Sequence, residues 1–237
     1  MRIHYLQHVP FENPGSILLW AAANKYPVSC TKLYAGGKLP KQEEFDWLVI
    51  MGGPMNIYEE EKYPWLAAEK EFIKEAIHGN KVILGLCLGG QLIADVIGGR
   101  VIRNKYMEIG WFPVTMSTQV LQYPQFSLFP ERPVVFEWHG DTFVDLPAEA
   151  QLIASNEACA NQAFMYGQRT YGFQFHLENL ETIIRDLIDN CAEEMVQGPY
   201  VQTAEEILFH REYIKEDNQL MTGFLNALAL LYEKEEI

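Results

Sequence analysis

Gly85-Leu86-Cys87-Leu88-Gly89-Gly90-Gln91 joins two segments of different periodicity. Lys81-Val82-Ile83-Leu84 reads as a buried strand, and residues 88–97 read as an amphipathic helix. Glycines two residues before and two after the cysteine suit a sharp strand-to-helix turn, where neighbouring side chains would collide. The pattern is the G-x-nucleophile-x-G elbow, with Cys in place of Ser. A cysteine at that point sits at a helix N-terminus, where the dipole favours thiolate, so a reactive thiol is expected. A small buried cysteine in a glycine-rich turn also fits this segment when it is read alone.

The second decisive stretch is Tyr171-Gly172-Phe173-Gln174-Phe175-His176-Leu177-Glu178. Its aromatic and apolar run reads as a strand ending in His176 and Glu178. At positions i and i+2 of a strand, those two side chains share a face and Leu177 takes the other. A carboxylate beside an imidazole fixes its tautomer and stabilises its cation. A nucleophilic thiol needs such a base, and the base needs such an orienter. A surface His–Glu pair at a strand end is the alternative, and the Cys87 elbow weighs against it. A zinc site built from Cys87, His176 and Glu178 is weaker still, because an elbow is shaped for a nucleophile.

At this point the sequence resembles the class I glutamine amidotransferases, which carry a Cys-His-Glu triad. Four segments hold the resemblance: Met51-Gly52-Gly53-Pro54, the Cys87 elbow, Trp138-His139-Gly140-Asp141 and Phe175-His176-Leu177-Glu178. It is similar in particular to stand-alone members that look like the glutaminase domain of GMP synthetase. The resemblance implies that Cys87 attacks the side-chain amide of glutamine, forming a γ-glutamyl thioester and releasing ammonia. His176 would then shuttle the protons and Glu178 would orient it. It also implies an oxyanion hole from the backbone N–H groups of Leu88 and Gly53, and substrate contacts from Gln91, Gly140 and Asp141. His139 reads as a structural or pocket-wall residue. His4, His8, His78 and His210 show no partner pattern and read as surface or packing residues. Gly90 stands where many members of the family have a bulkier residue, which is expected to alter the pocket wall.

Composition bounds the rest. A chain of 237 residues, nearly half of them hydrophobic, can bury a full α/β core. The net charge of −14 speaks against nucleic-acid and anionic-membrane partners. Residues 179–237 carry 13 Asp and Glu against 4 Lys and Arg, the solvated face of terminal helices. Cys30, Cys87, Cys159 and Cys191 show no metal or disulfide spacing, so neither a metal nor a disulfide framework is expected. The N-terminus starts directly with a strand and lacks a signal-peptide core, so the cytoplasm is the expected compartment. No phosphate-cradling glycine loop is present, so no nucleotide cofactor is expected, and an ammonia acceptor would lie on another polypeptide, a separate synthetase.

Strand and helix patterns alternate along the chain. The expected fold is therefore a mostly parallel open sheet with helices on both faces, flavodoxin-like, as in class I glutamine amidotransferases. Strands are expected at 2–9, 28–33 and 46–51, and helices at 14–24, with Asn13 as N-cap, and at 64–78. Beyond residue 100, short runs at 109–116, 134–138, 151–155, 163–166 and 170–175 predict a small antiparallel extension. A helix at 180–195 and two more at 203–215 and 218–234 follow. Residues 1–195 then form the amidotransferase-like domain, and 196–237 a helical C-terminal appendage of it. Two other functions fit the same residues: a free-standing γ-glutamyl hydrolase or peptidase, and a binding module without catalysis.

Overall fold

The structure is a computed structural model that describes residues 1–234. In chain order its elements are β1 (Ile3–Gln7), α1 (Ser16–Ala23), β2 (Val28–Lys32), β3 (Trp47–Ile50), α2 (Trp65–His78), β4 (Val82–Leu86), α3 (Leu88–Val96), β5 (Arg100–Pro113), β6 (Thr115–Met116), β7 (Val134–Val144), β8 (Ala150–Ser155), β9 (Ala163–Tyr166), β10 (Thr170–Phe173), α4 (Glu181–Asn190), α5 (Ala204–Phe209) and α6 (Glu212–Glu233). One sheet runs β2-β1-β3-β4-β10-β9-β8-β6. From β2 to β10 neighbouring strands are parallel, and from β10 onward antiparallel. Of the expected extension, the runs at 151–155, 163–166 and 170–175 are continuous with the parallel core, whereas those at 109–116 and 134–138 fall mostly in β5 and β7. A separate two-stranded sheet, β5 with β7, stands apart from it.

Every residue of β3 and β4 is buried. That is why both read as unbroken apolar runs: parallel strands covered on both faces have no polar side. On one face Ile17, Trp20 and Ala21 of α1 and Met221, Phe224, Leu225 and Leu228 of α6 meet Trp47, Val49, Leu84 and Phe173. On the other, Leu66, Phe72, Ile73 and Ala76 of α2 and Leu92 and Ile93 of α3 meet Leu6, Leu48, Ile50 and Ile83. A third cluster joins β5 and β7 to α4 and α5 through Trp111, Phe136, Ile184, Leu187 and Ile207. Among the described residues no helix is long and apolar enough to cross a membrane.

Several boundaries differ from the sequence reading, each for a tertiary reason. α1 starts at Ser16 behind Gly15, not at residue 14 behind Asn13. Gly15 holds φ 48° and ψ −118°, a conformation for glycine, and the Asn13 side chain accepts the Gly15 N–H at 3.0 Å. The next N–H, that of Ser16, donates to the Glu178 carbonyl at 2.8 Å, so the helix start is tied to the far end of the chain. The C-terminal break falls at His210, giving α5 and then one long α6. The sequence reading places Glu216 and Asp217 between the two expected helices. Instead Asp217 is buried and accepts the Phe136 N–H at 3.1 Å, while Asn218 donates to the carbonyls of Leu177 and Asn179 at 3.0 Å each. Residues 180–195 hold α4 and a separate 3-10 turn, Ala192–Glu194. The last three residues of the expected appendage, 235–237, lie outside the described residues.

Candidate active site

β1, β3, β4 and β10 are neighbours in the parallel part of the sheet, and each leads from its carboxyl end into a segment of the site. Ligand sites of open parallel sheets form at that edge. β1 leads to His8 and Glu12, β3 to Gly52 and Gly53, β4 to Cys87, and β10 to Gln174, His176 and Glu178. The second sheet adds Trp138, His139, Gly140 and Asp141. These lie inside strand β7, not in a loop or glycine turn. β10 itself ends at Phe173, and His176 follows in a bend pinned by its N–H donating to the Phe136 carbonyl at 2.8 Å.

Cys87 is the elbow. It holds φ 50° and ψ −106° between the last residue of β4 and the first of α3. A non-glycine residue there is strained, and persists because its surroundings over-determine it. The Cys87 N–H donates to the Phe173 carbonyl at 2.7 Å. A methyl group on Gly85 would overlap the Gly89 carbonyl, and one on Gly89 would overlap the Ile50 carbonyl. Gly90 instead faces the Phe173 backbone, 3.0 Å from a would-be Cβ, and is absent from the cavity wall. Its expected effect on the pocket wall is not seen.

His176 donates from Nδ1 to Glu178 Oε1 at 2.7 Å, and both side chains are buried. The imidazole lies within electrostatic reach of the Cys87 thiol, whose Sγ donates to the Trp138 carbonyl at 3.6 Å. Burial pulls His176 down, but the Glu178 charge and the Cys87 contact outweigh it and hold the ring well above the ordinary histidine value. Burial raises the Cys87 thiol and so opposes the thiolate, while His176 and the Leu88 N–H at the helix start favour it. Gln174 Nε2 lies 3.5 Å from Cys87 Sγ, and Gln91 Nε2 donates to Gln174 Oε1 at 3.1 Å.

A cavity of about 400 Å³ opens over the thiol. Of the residues expected at the site, Cys87, His176, Gly53, Gln91, Gly140 and Asp141 line it. Glu178 lies behind His176, and the Leu88 N–H faces the sulfur. Asp141 accepts from Asn56 Nδ2 at 2.7 Å and pairs with Arg103 at 3.4 Å. Arg103 and Met107 reach the cavity because the register of β5 against β7 shifts between Arg103 and Glu108.

Sequence reasoning missed Arg103, Met107, Glu12, Glu193 and Glu194, which also line the wall. It also missed His8, which is fully buried. Its Nδ1 donates to the Gly52 carbonyl at 3.0 Å and its Nε2 pairs with Glu69 at 2.8 Å, so an internal ion pair props the glycine turn. The apolar period of α2 places Glu69 on its buried face, between Leu66 and Phe72, and that is the one signal that could have found the pair.

Behind the cavity lies a second polar group. His139 bridges the Asp141 carbonyl and Glu108 at 2.9 Å each, and Glu108 also accepts from Asn156 and Gln162. Glu108, His139 and Cys159 hold their ligand-type atoms within 4.8 Å of one another. The amide donors on Glu108 and the Thr142 hydroxyl on Cys159 make it a closed hydrogen-bond network. Glu137, fully buried, has no hydrogen-bond partner on either carboxyl oxygen, although Oε2 lies 3.4 Å from His139 Nε2, and burial with Glu108 nearby raises it well above the ordinary value.

An acid raised on folding contributes stability below its unfolded pKa of about 4.3, and that contribution is lost as pH rises toward its folded pKa, at up to about 1.4 kcal/mol per pH unit. Glu137→Gln is therefore expected to stabilise the chain, more at pH 8 than at pH 5. Urea unfolding at the two pH values reads the difference, and an equal or negative change at both would show that the carboxyl is not held neutral.

The model of the family described as glutamine amidotransferase class-I matches residues 22–194, which include Cys87, His176 and Glu178. The chain belongs to this family. It is 32% identical over 240 residues to the glutamine amidotransferase-like protein YfeJ of Salmonella typhimurium, covering 99% of this chain and 100% of that protein. It is 34% identical over 154 residues to one of the subunits of the glutamine-hydrolyzing GMP synthase of Thermoplasma acidophilum, covering 62% of this chain and 72% of that one. With γ-glutamyl peptidase 3 of Arabidopsis thaliana it shares 27% identity over 160 residues, 65% and 64% of the two chains. The crystal structure of a glutamine amidotransferase from Thermotoga maritima superposes with a TM-score of 0.86 at 32% identity, covering 96% of this chain and 97% of that one. Glu12, α5 and α6 lie outside the range the family model matches.

Proposed function

We propose that this member of the family is an amide hydrolase of glutamine amidotransferase type, working through a γ-glutamyl thioester on Cys87. The observation that carries the reading is the chain of contacts from the Cys87 thiol to His176 and on to Glu178, at the floor of a cavity. His176 takes the thiol proton as sulfur attacks the amide carbon. The tetrahedral oxyanion is met by the Leu88 N–H, with Gly53 as the second donor. When the C–N bond breaks, the electron pair stays on nitrogen, which leaves with the proton from His176. Water activated by the same imidazole then hydrolyses the thioester to glutamate. Gln91, Gly140 and Asp141 hold the glutamyl moiety. With glutamine the leaving group is ammonia, passed to an acceptor on another polypeptide in the cytoplasm, in keeping with the likeness to part of a GMP synthase.

A second reading has its own support. The cavity of about 400 Å³ is larger than a glutamine side chain fills, and the likeness to a γ-glutamyl peptidase points the same way. In that reading the same steps act on a γ-glutamyl amide with a larger leaving amine.

The test shared by both readings is covalent. An electrophilic γ-glutamyl analogue at neutral pH is expected to label Cys87 and to spare Cys30, Cys159 and Cys191. Burial pushes Cys159 and Cys191 up to about 12, and His139, within 4.8 Å of Cys159, has both ring nitrogens engaged by the Asp141 carbonyl and Glu108. Peptide mapping that finds another cysteine labelled and Cys87 free would overturn the assignment.

A further inference from the structure

The cavity wall is not electrically neutral. Glu12, Asp141, Glu193 and Glu194 line it against one guanidinium, that of Arg103, which is already paired with Asp141. Glu12 is the unusual member. It is 6% exposed, and it makes no hydrogen bond to any described residue. Its carboxylate rests on the bare Cα of Gly52, where a methyl group would overlap Glu12 Oε2 and stand 3.3 Å from His176 Cε1. A buried carboxylate without a donor is costly and calls for a partner. Glu12 faces His176 and His8, with Cys87, Cys191, Glu178 and Glu194 also within its electrostatic reach, and burial lifts it to about 7.

These contacts place Glu12 on a particular side of the thiol. The leaving nitrogen collects its proton from His176, so it departs on the imidazole side. The same wall carries Glu193 and Glu194 of the 3-10 turn and the apolar Leu187, Cys191 and Val196. Arg103 pairs with Asp141 and lies within electrostatic reach of Glu194, whereas the charged groups that act on Glu12 are His176, His8, Glu178 and Glu194.

We infer that the part of the cavity wall at Glu12 is a cation subsite, and that it takes γ-glutamyl amides whose leaving amine bears a second, positively charged nitrogen on an aliphatic chain. This rests on the acyl-transfer reading above. An ammonium brought next to Glu12 supplies the missing donor, and the pair forms out of water, where a charge-assisted hydrogen bond is strongest. Cleavage balances as before: the amide and water give glutamate and the free diamine.

The test compares three γ-glutamyl amides of similar length on the full chain: those of 1,4-diaminobutane, pentylamine and 4-aminobutyrate. The diamine amide is expected to show the highest kcat/KM, at least tenfold above the uncharged amide, with the anionic one lowest. Glu12→Gln is expected to bring the cation-to-neutral ratio within threefold of one, and Glu12→Asp to keep part of it. The ratio is read within each variant, so a general loss of activity cancels. A wild-type preference for the neutral or anionic amide, or an unchanged ratio in Glu12→Gln, overturns the subsite. Calorimetric binding of the same amides to Cys87→Ala protein separates the two layers. Cation preference in binding without turnover by the native chain upholds the subsite and sinks the acyl-transfer reading. Turnover without preference sinks the subsite alone.

Discussion

Cys87→Ala is expected to abolish turnover of every γ-glutamyl amide, a loss of roughly 10⁴-fold or more, since no other group can form the thioester. His176→Ala should cost nearly as much. In the proposed mechanism one imidazole accepts the thiol proton, protonates the leaving amine and activates water, and it also opposes the effect of burial on the Cys87 thiol. Glu178→Gln should lose less, because nucleophile and base remain and only the orientation and charge behind Nδ1 change. Steady-state release of ammonia or amine measures the series. Circular dichroism must show that each variant is folded, because His176 and Glu178 are buried and their replacement can disturb the segment. Turnover by folded His176→Ala at native rates would end the triad reading. A Cys87→Ala protein that still hydrolyses glutamine would end it as decisively.

The second large effect is structural. Gly89→Ala should destabilise the chain by about 3 kcal/mol or more, at the upper end for overpacking a rigid site. The added methyl would overlap the Ile50 carbonyl, and backbone in the centre of a parallel sheet cannot rotate away as a side-chain tip can. At this chain length that corresponds to a fall in Tm of at least about 6 °C. Gly90→Ala is the matched comparison. Its methyl would meet the Phe173 carbonyl at 3.0 Å, a contact that a small helix shift relieves, and about 1 kcal/mol is expected. Thermal melts of the two variants decide the point. Equal melting temperatures would mean that α3 is not seated on β3 as closely as described.

Much of this molecule is legible in order along the chain. The apolar runs of β3 and β4, the amphipathic period of α2 and the glycines around Cys87 are local patterns, and local geometry follows from them. The pairing of His176 with Glu178 is suggested by an i, i+2 spacing on a strand, but the strand ends at Phe173 and that spacing does not carry it. The two side chains meet because the bend at His176 is pinned to Phe136 and the carbonyls of Leu177 and Asn179 are held by Asn218.

What the residues alone determine is therefore the fold class, the elbow and the identity of the three candidate reactive groups, since each depends on neighbours within a few positions. Tertiary structure decides the rest. It buries Cys87, which opposes the ionisation that the elbow favours, turns Asp217 inward from between two expected helices, and seats His8 on Glu69, which is 61 residues away. It also carries Glu12 from the end of β1 to the flank of His176, against a glycine that follows β3. Desolvation and charge pairing depend on which groups meet in space, and no periodicity along a single chain encodes that meeting.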